Sequence, residues 1–239
     1  SASQLYELFK EPFPEDAHIR YAEKHGGTPE YWKAKWAEKN QKSTHRGTII
    51  HDANEVALTG MMVDRVHGQE YKVMGDVIRD EDPWYNRPDG VYLEKKLWHH
   101  GYRIAGRADK ITITTERRYG ALDGMLVPDT VRWAHVDDYK TNEKLDRESY
   151  QFKNGNYKMM KPPIGHLMDC NWIHYCLQLS TYMLMLEYQG FLPGKMRIKH
   201  YPHPTAEDPN PVPVWYDVPY LKKEVVLMCT YLNRSHGRM

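Results

Sequence analysis

The chain reads as an α/β protein, a mixed central sheet flanked by helices, with extra helices at its N-terminal end. Three observations predict this. The first sixty residues carry helical signals, beginning at Thr28-Pro29-Glu30. Residues 91–140 then alternate apolar and polar side chains at strand spacing. After them, an apolar helical stretch at 172–188 separates the last of these strands from another short strand. Strands interleaved with helices imply a mixed sheet covered by helices.

Taken in order, Thr28 is a helix N-cap, Pro29 fits the first turn and Glu30 is the early acid. Tyr31, Trp32 and Trp36 follow near helical spacing. A second helix is predicted over 44–58 and a third over 69–79. Asp82-Pro83 and Arg87-Pro88-Asp89-Gly90 break the pattern. Strands are predicted at 91–98 and 102–104, around a His99-His100-Gly101 turn. A strand over 108–114 puts Ile111 and Ile113 on one face. Residues 120–128 read as a turn or hairpin tip, and 131–140 as the next strand. A polar loop covers 142–171. The helix at 172–188 is apolar on most sides and is expected to be buried, with Gly190 ending it. A strand at 196–201, a proline-rich loop at 202–213 and a helix at 220–232 complete the chain.

A length of 239 residues suits one domain. It divides into an N-terminal helical extension (1–43), a core (44–201) and a C-terminal loop and helix (202–239). No run of about 18 apolar residues exists, so no membrane span is expected, and no signal-peptide pattern is visible. Cys170, Cys176 and Cys229 form an odd set without CxxC spacing, which argues against a disulfide framework or a zinc ribbon. A cytoplasmic location is expected. The net charge of +1 gives no molecule-wide basic field, so any nucleic-acid binding must come from a local patch.

Asp138-Tyr139-Lys140 ends the 131–140 strand. Asp138 and Lys140 project to one side and Asp137 to the other. A carboxylate beside an amine at a strand end suits a divalent cation next to an attacking water; the ordinary alternative is an ion pair. Gly106-Arg107-Ala108-Asp109 opens the neighbouring strand. Gly106 permits close approach of a ligand or another backbone. Asp109 then lies near Asp138, and two such carboxylates repel unless a cation neutralises them. Oxygen ligands of this kind suit Mg²⁺ or Mn²⁺. Alternatively, Asp109 pairs only with Arg107 or Lys110. Gly47, His51 and Glu55 share a helix face, and imidazole is a good Mn²⁺ ligand. With 13 histidines in the chain, His51 is equally readable as a surface or core residue. Glu94 faces either the cleft, where it helps hold a second ion or a phosphate, or solvent beside Lys95 and Lys96. Gln178 and Tyr182 share a face of the buried helix and must find partners there. They bond the catalytic strand's backbone or a substrate phosphate, or else form an internal polar pair in the core. In the 142–171 loop, Lys144, Arg147, Lys153, Lys158 and Lys161 are interleaved with Tyr150, Phe152 and Tyr157. That mixture suits single-stranded nucleic acid, or simply a solvated loop.

Taken together, Gly47-Thr48 with His51, Gly106 with Asp109, Asp138-Tyr139-Lys140-Thr141, and Gln178 with Tyr182 resemble the motif series of the PD-(D/E)XK nuclease superfamily. The RecB-like exonuclease branch is the nearest in pattern, over residues 44–201. The stretch around His166–Asn171 is similar to phage-encoded members. The resemblance implies a restriction-endonuclease-like αβββαβ core. It implies that His51, Asp109 and Asp138 hold one or two Mg²⁺ or Mn²⁺ ions, helped by the Tyr139 carbonyl. Lys140 would orient or deprotonate the attacking water, with Gln178 and Tyr182 as the branch's motif for the active site and DNA; Glu94, outside the motif series, is a further candidate catalytic residue from its strand position. Gly47, Thr48, Glu55, Arg107, Thr141 and Lys144 are the expected substrate contacts. The three late cysteines do not match the four that hold an iron–sulfur cluster in some relatives, so no cluster is expected. The implied activity is hydrolysis of DNA ends, single-stranded or duplex, in DNA processing, recombination or repair. A helicase or single-strand-annealing partner and a homo-oligomer both fit that role. The competing readings are a catalytically silent nucleic-acid-binding subunit, a structure- or sequence-specific endonuclease, and a different metallohydrolase.

Overall fold

A computed structural model describes residues 2–12, 14, 16–61, 63–66, 68–74, 83–122 and 125–235. Two short helices, α1 (Ala2–Glu7) and α2 (Ala17–His25), precede α3 (Pro29–Thr59), which is 31 residues long. Thr28 caps α3 as expected, its Oγ1 accepting from the Tyr31 amide at 3.2 Å. The two separate helices expected up to residue 58 are one. Neither proline nor glycine occurs between Pro29 and Gly47, so the polar stretch 37–43 simply continues the helix with its side chains in solvent. The boundary drawn at 43/44 therefore runs through the middle of α3.

Seven strands form one mixed sheet in sequence order: β1 (Val63–Val66), β2 (Gln69–Met74), β3 (Gly90–His99), β4 (Ile104–Leu122), β5 (Met125–Lys140), β6 (Leu192–His200) and β7 (Val214–Asp217). Pairing is parallel at β2–β3 and β5–β6 and antiparallel elsewhere. Residues 69–74 are thus strand rather than the expected helix; residues 75–79 lie outside the described residues. Tyr71 and Val73, two apart, turn inward against Val91 and Leu93, which is strand periodicity. Between β3 and β4 the turn takes residues 100–103, so of the expected strand 102–104 only Ile104 is in a ladder. Residues 120–122 and 125–128 belong to the far end of one long antiparallel pair, β4 and β5 pairing from Lys110 opposite Asp137 out to Leu122 opposite Met125; residues 123 and 124 lie outside the described residues. β7 was not anticipated, because prolines crowd its approach.

α4 (Asn171–Tyr188) lies across β3 to β6, and every residue from Cys176 to Leu186 is buried. Its apolar character on most sides has a simple cause. One side packs Leu179, Met183 and Leu186 against Leu97, Ile111, Val136 and Ile198 of the sheet. The other packs Leu177 and Leu184 against Leu5 and Phe9 near the N-terminus and Val225 and Met228 of α5 (Lys222–Ser235). Burying each such side chain stabilises the fold by about 1.5–3 kcal/mol. Gly190, at φ +94°, ends the helix in a conformation that favours glycine. All three cysteines are buried and free. Among the described residues, no helix is long and apolar enough to cross a membrane.

The opposite face of the sheet is tied by charge. Asp137 accepts two hydrogen bonds of 2.8 Å from Arg197 on β6, and Lys110 reaches both Asp137 (3.4 Å) and Asp64 of β1 (2.6 Å). Removing one member of a buried pair strands the others. Asp137→Ala is therefore expected to cost about 3–5 kcal/mol, read as a lowered urea midpoint. It leaves the Asp138 face unaltered.

Candidate metal centre

Because Lys110 faces Asp137 across the β4–β5 ladder, the next positions in register are Asp109 and Asp138. Both point to the face covered by α4. Asp138 is 1% exposed, and its Oδ2 lies 2.5 Å from Lys140 Nζ. Gln178, from α4, bridges the pair. Its Oε1 accepts from Lys140 at 3.2 Å, and its Nε2 donates to Asp138 Oδ1 (3.4 Å) and to the Tyr182 hydroxyl (3.1 Å). The buried amide and phenol thus serve the strand end and each other. Gly106 makes room for this: a Cβ there would stand 2.8 Å from both Tyr182 Cε1 and the Ala2 Cβ.

His51 approaches from α3. None of that helix's residues is fully buried, though Leu58 is half-buried against Val91 and Leu93. Polar bonds supply the rest of its attachment. Arg46 donates to the carbonyls of Thr141 (2.6 Å), Tyr201 (3.2 Å) and Pro202 (2.8 Å), and Tyr201 donates to Asn54 at 2.5 Å. His51 Nε2 lies 3.1 Å from the Tyr139 carbonyl. A carbonyl can only accept, so Nε2 carries the proton, and in the neutral ring Nδ1 keeps the lone pair. Nδ1 stands 3.4 Å from Asp109 Oδ2 and 3.9 Å from Glu94 Oε1. Glu94 reaches that position from mid-strand at φ +49°, a left-handed conformation that non-glycine residues rarely hold.

One ligand atom each from His51, Glu94 and Asp109 lie within 4.8 Å of one another. Two ligands at about 2.1 Å from one Mg²⁺ lie at most about 4.2 Å apart, and both distances from Nδ1 satisfy that limit. An imidazole with two carboxylates is a donor set for Mn²⁺ or Mg²⁺. Asp138, expected among the ligands, has both oxygens engaged by Lys140 and Gln178, and Glu94 stands in its place in the group of three. The Tyr139 carbonyl faces His51, and the Tyr139 amide donates to Asp109 at 2.8 Å.

Electrostatics mark the same spot. Burial and then the Asp138 charge push Asp109 up to about 7. The Glu94 carboxylate beside it raises His51 against the effect of its burial, with Asp109 adding to the rise. Burial disfavours the Lys140 ammonium, but Asp138 and Asp109 outweigh it and hold the pKa above the ordinary lysine value. An ammonium–π contact at 4.6 Å from the Tyr175 ring adds to this environment.

The group of three opens into a cleft of about 490 Å³, also lined by Gly47, Thr48, Asp52, Glu55 and Arg107. Thr141 Oγ1 lies beside Gly47, while Lys144 lines a separate groove. Arg46, Asp52, Asn54 and Tyr175 were not singled out from sequence; only Asp52, next to His51, carried a signal. No family model, characterised protein or solved structure matches the chain.

Asp109 has a folded pKa above the ordinary 3.8. Its favourable contribution is complete in acid and is lost as the pH rises toward 7. In EDTA at pH 8, Asp109→Asn is therefore expected to be more stable than the parent by on the order of 2 kcal/mol, or about 4 °C in Tm. The gain should shrink toward pH 5 in thermal unfolding followed by circular dichroism.

Proposed function

We propose that this protein is a divalent-cation-dependent deoxyribonuclease with a PD-(D/E)XK core, acting as an exonuclease on DNA ends. The observation that carries the reading is the meeting of His51, Glu94 and Asp109, one ligand atom of each within 4.8 Å of the others, with Asp109 next in register to the strand end that bears Asp138 and Lys140. The order α3, β3, β4, β5, α4, β6 supports it, being the αβββαβ order that the motif resemblance implies once β1 and β2 are taken as an insertion between α3 and β3.

His51, Glu94 and Asp109 would hold Mg²⁺ or Mn²⁺, which would supply Lewis acidity toward a phosphodiester and water. The remaining chemistry belongs to the chain. His51 Nε2, tied to the Tyr139 carbonyl, aims Nδ1 at the ion position. Lys140, kept cationic by two carboxylates, positions the attacking water and offsets charge that develops on the phosphate. In this reading it acts as a cation rather than as a base. Gln178 positions it by accepting from Nζ, while Tyr182 holds the amide. Arg107, at the rim of the cleft, contacts the phosphate backbone.

Digestion of end-labelled linear and circular DNA in Mg²⁺, Mn²⁺ or EDTA tests this. Cleavage is expected of linear DNA only, and only with the cation. Lys140→Ala should lower the rate about 100- to 1000-fold while Mn²⁺ still binds by calorimetry. Undiminished Mg²⁺-dependent cleavage by that variant overturns the assignment.

A further inference from the structure

Apart from Arg46, the basic half of α3 has no role in the cation centre. Between Pro29 and Gly47 it carries Lys33, Lys35, Lys39, Lys42 and Arg46 against Glu30 and Glu38. That half borders a series of hollows, each sharing a lining residue with the next. Thr48 is common to the cation cleft and a neighbouring hollow beside Gln41 and His45. Lys42 is common to that hollow and a groove of about 1010 Å³ whose far wall includes Asn142 and Lys144. Lys39 and Asn40 are common to the groove and a pocket of about 780 Å³ lined by Tyr21, Trp36 and Tyr150. Trp36 and His51 are about 22 Å apart along the helix at 1.5 Å per residue.

The two ends of this track differ in chemistry. The pocket is aromatic: Tyr21 packs edge-on to Trp32 and Trp36, with centroids 4.6 and 5.5 Å away. Tyr150 is 67% exposed, on a small hairpin closed by Lys158 N to Tyr150 O and Phe152 N to Asn156 O, both 2.8 Å. The groove has five cationic side chains against three carboxylates. Two of its lysines are paired, Lys39 with Glu143 (3.1 Å) and Lys42 with Glu38 (2.6 Å). All four side chains are exposed, and such pairs contribute at most about 1 kcal/mol, so a polyanion can displace them.

We propose that this track holds the single-stranded tail of a polynucleotide. A base stacks among Tyr21, Trp36 and Tyr150, and phosphates run past Lys39 and Lys42 toward the cation cleft. Spaced cations matched to phosphates, ending in a π-faced pocket matched to a base, are how single strands are gripped without sequence preference. The proposal rests on the nuclease reading only for what lies at the cleft end.

The test is fluorescence anisotropy with labelled twelve-nucleotide oligo-dT and oligo-U in EDTA. Tyr150→Ala is expected to weaken binding about 5- to 100-fold, and Tyr150→Phe to keep parental affinity. Tyr119→Ala, an exposed tyrosine of the β4–β5 hairpin, serves as control and should change nothing. Lys39→Gln should reduce the slope of log affinity against log salt by about 0.7. Binding of either or both oligomers with this pattern supports the track, and the arm that binds names its nucleic acid. Parental affinity in Tyr150→Ala, or no binding of either oligomer by the parent, overturns it. EDTA separates the two claims. Failed Mg²⁺ digestion with intact, Tyr150-dependent binding defeats the nuclease reading alone. Normal digestion with Tyr150-independent binding defeats the track alone.

Discussion

The repulsion between Asp109 and Asp138 is the constraint around which the rest is arranged. They sit on adjacent strands, on the same face, beneath a helix that admits little water. Each neighbour answers that repulsion in part. Lys140 neutralises Asp138, and Gln178 ties both to α4. The Tyr139 amide and His51 take up Asp109. Burial, and after it what is left of the repulsion, appears as the elevated pKa of Asp109. Glu94 adds a third acid to the same cleft at the cost of an unfavourable backbone conformation, on the order of 1–2 kcal/mol. A fold selected for stability alone has no use for that arrangement. The apolar packing on both sides of α4 makes it tolerable.

Much of this was legible in the sequence where one local rule decides the matter. Strand alternation separates Asp137 from Asp138, and the structure puts one with Arg197 and the other with Lys140. Helix spacing pairs Gln178 with Tyr182, and they do bond. Thr28-Pro29-Glu30 starts a helix there. Legibility ended where a long-range contact overrides the local pattern. Residues 69–74 suit a helix or a strand, and pairing with β1 and β3 decides. The left-handed turn at Glu94 depends on its neighbours, so its strand position gave no more than an even choice of facing. Arg46 meets three carbonyls at positions 141, 201 and 202, and nothing near it in sequence signals them.

α3 is the unusual element. A helix of 31 residues without a buried one gains little from the hydrophobic effect. Its place on the sheet is set mainly by hydrogen bonds from Arg46 and His51 to backbone carbonyls, and from Tyr201 to Asn54.

That mode of attachment makes His51 a donor on a detachable strut. Release of a few carbonyls withdraws the imidazole and leaves the acids facing one another. Anything that steadies the strut at one end would, under the proposed reading, tighten cation affinity at the other, and occupancy of the ion position would steady the strut in return, by reciprocity of linkage. Under the proposed reading, grip on a strand and readiness to cut it are one equilibrium seen from two ends.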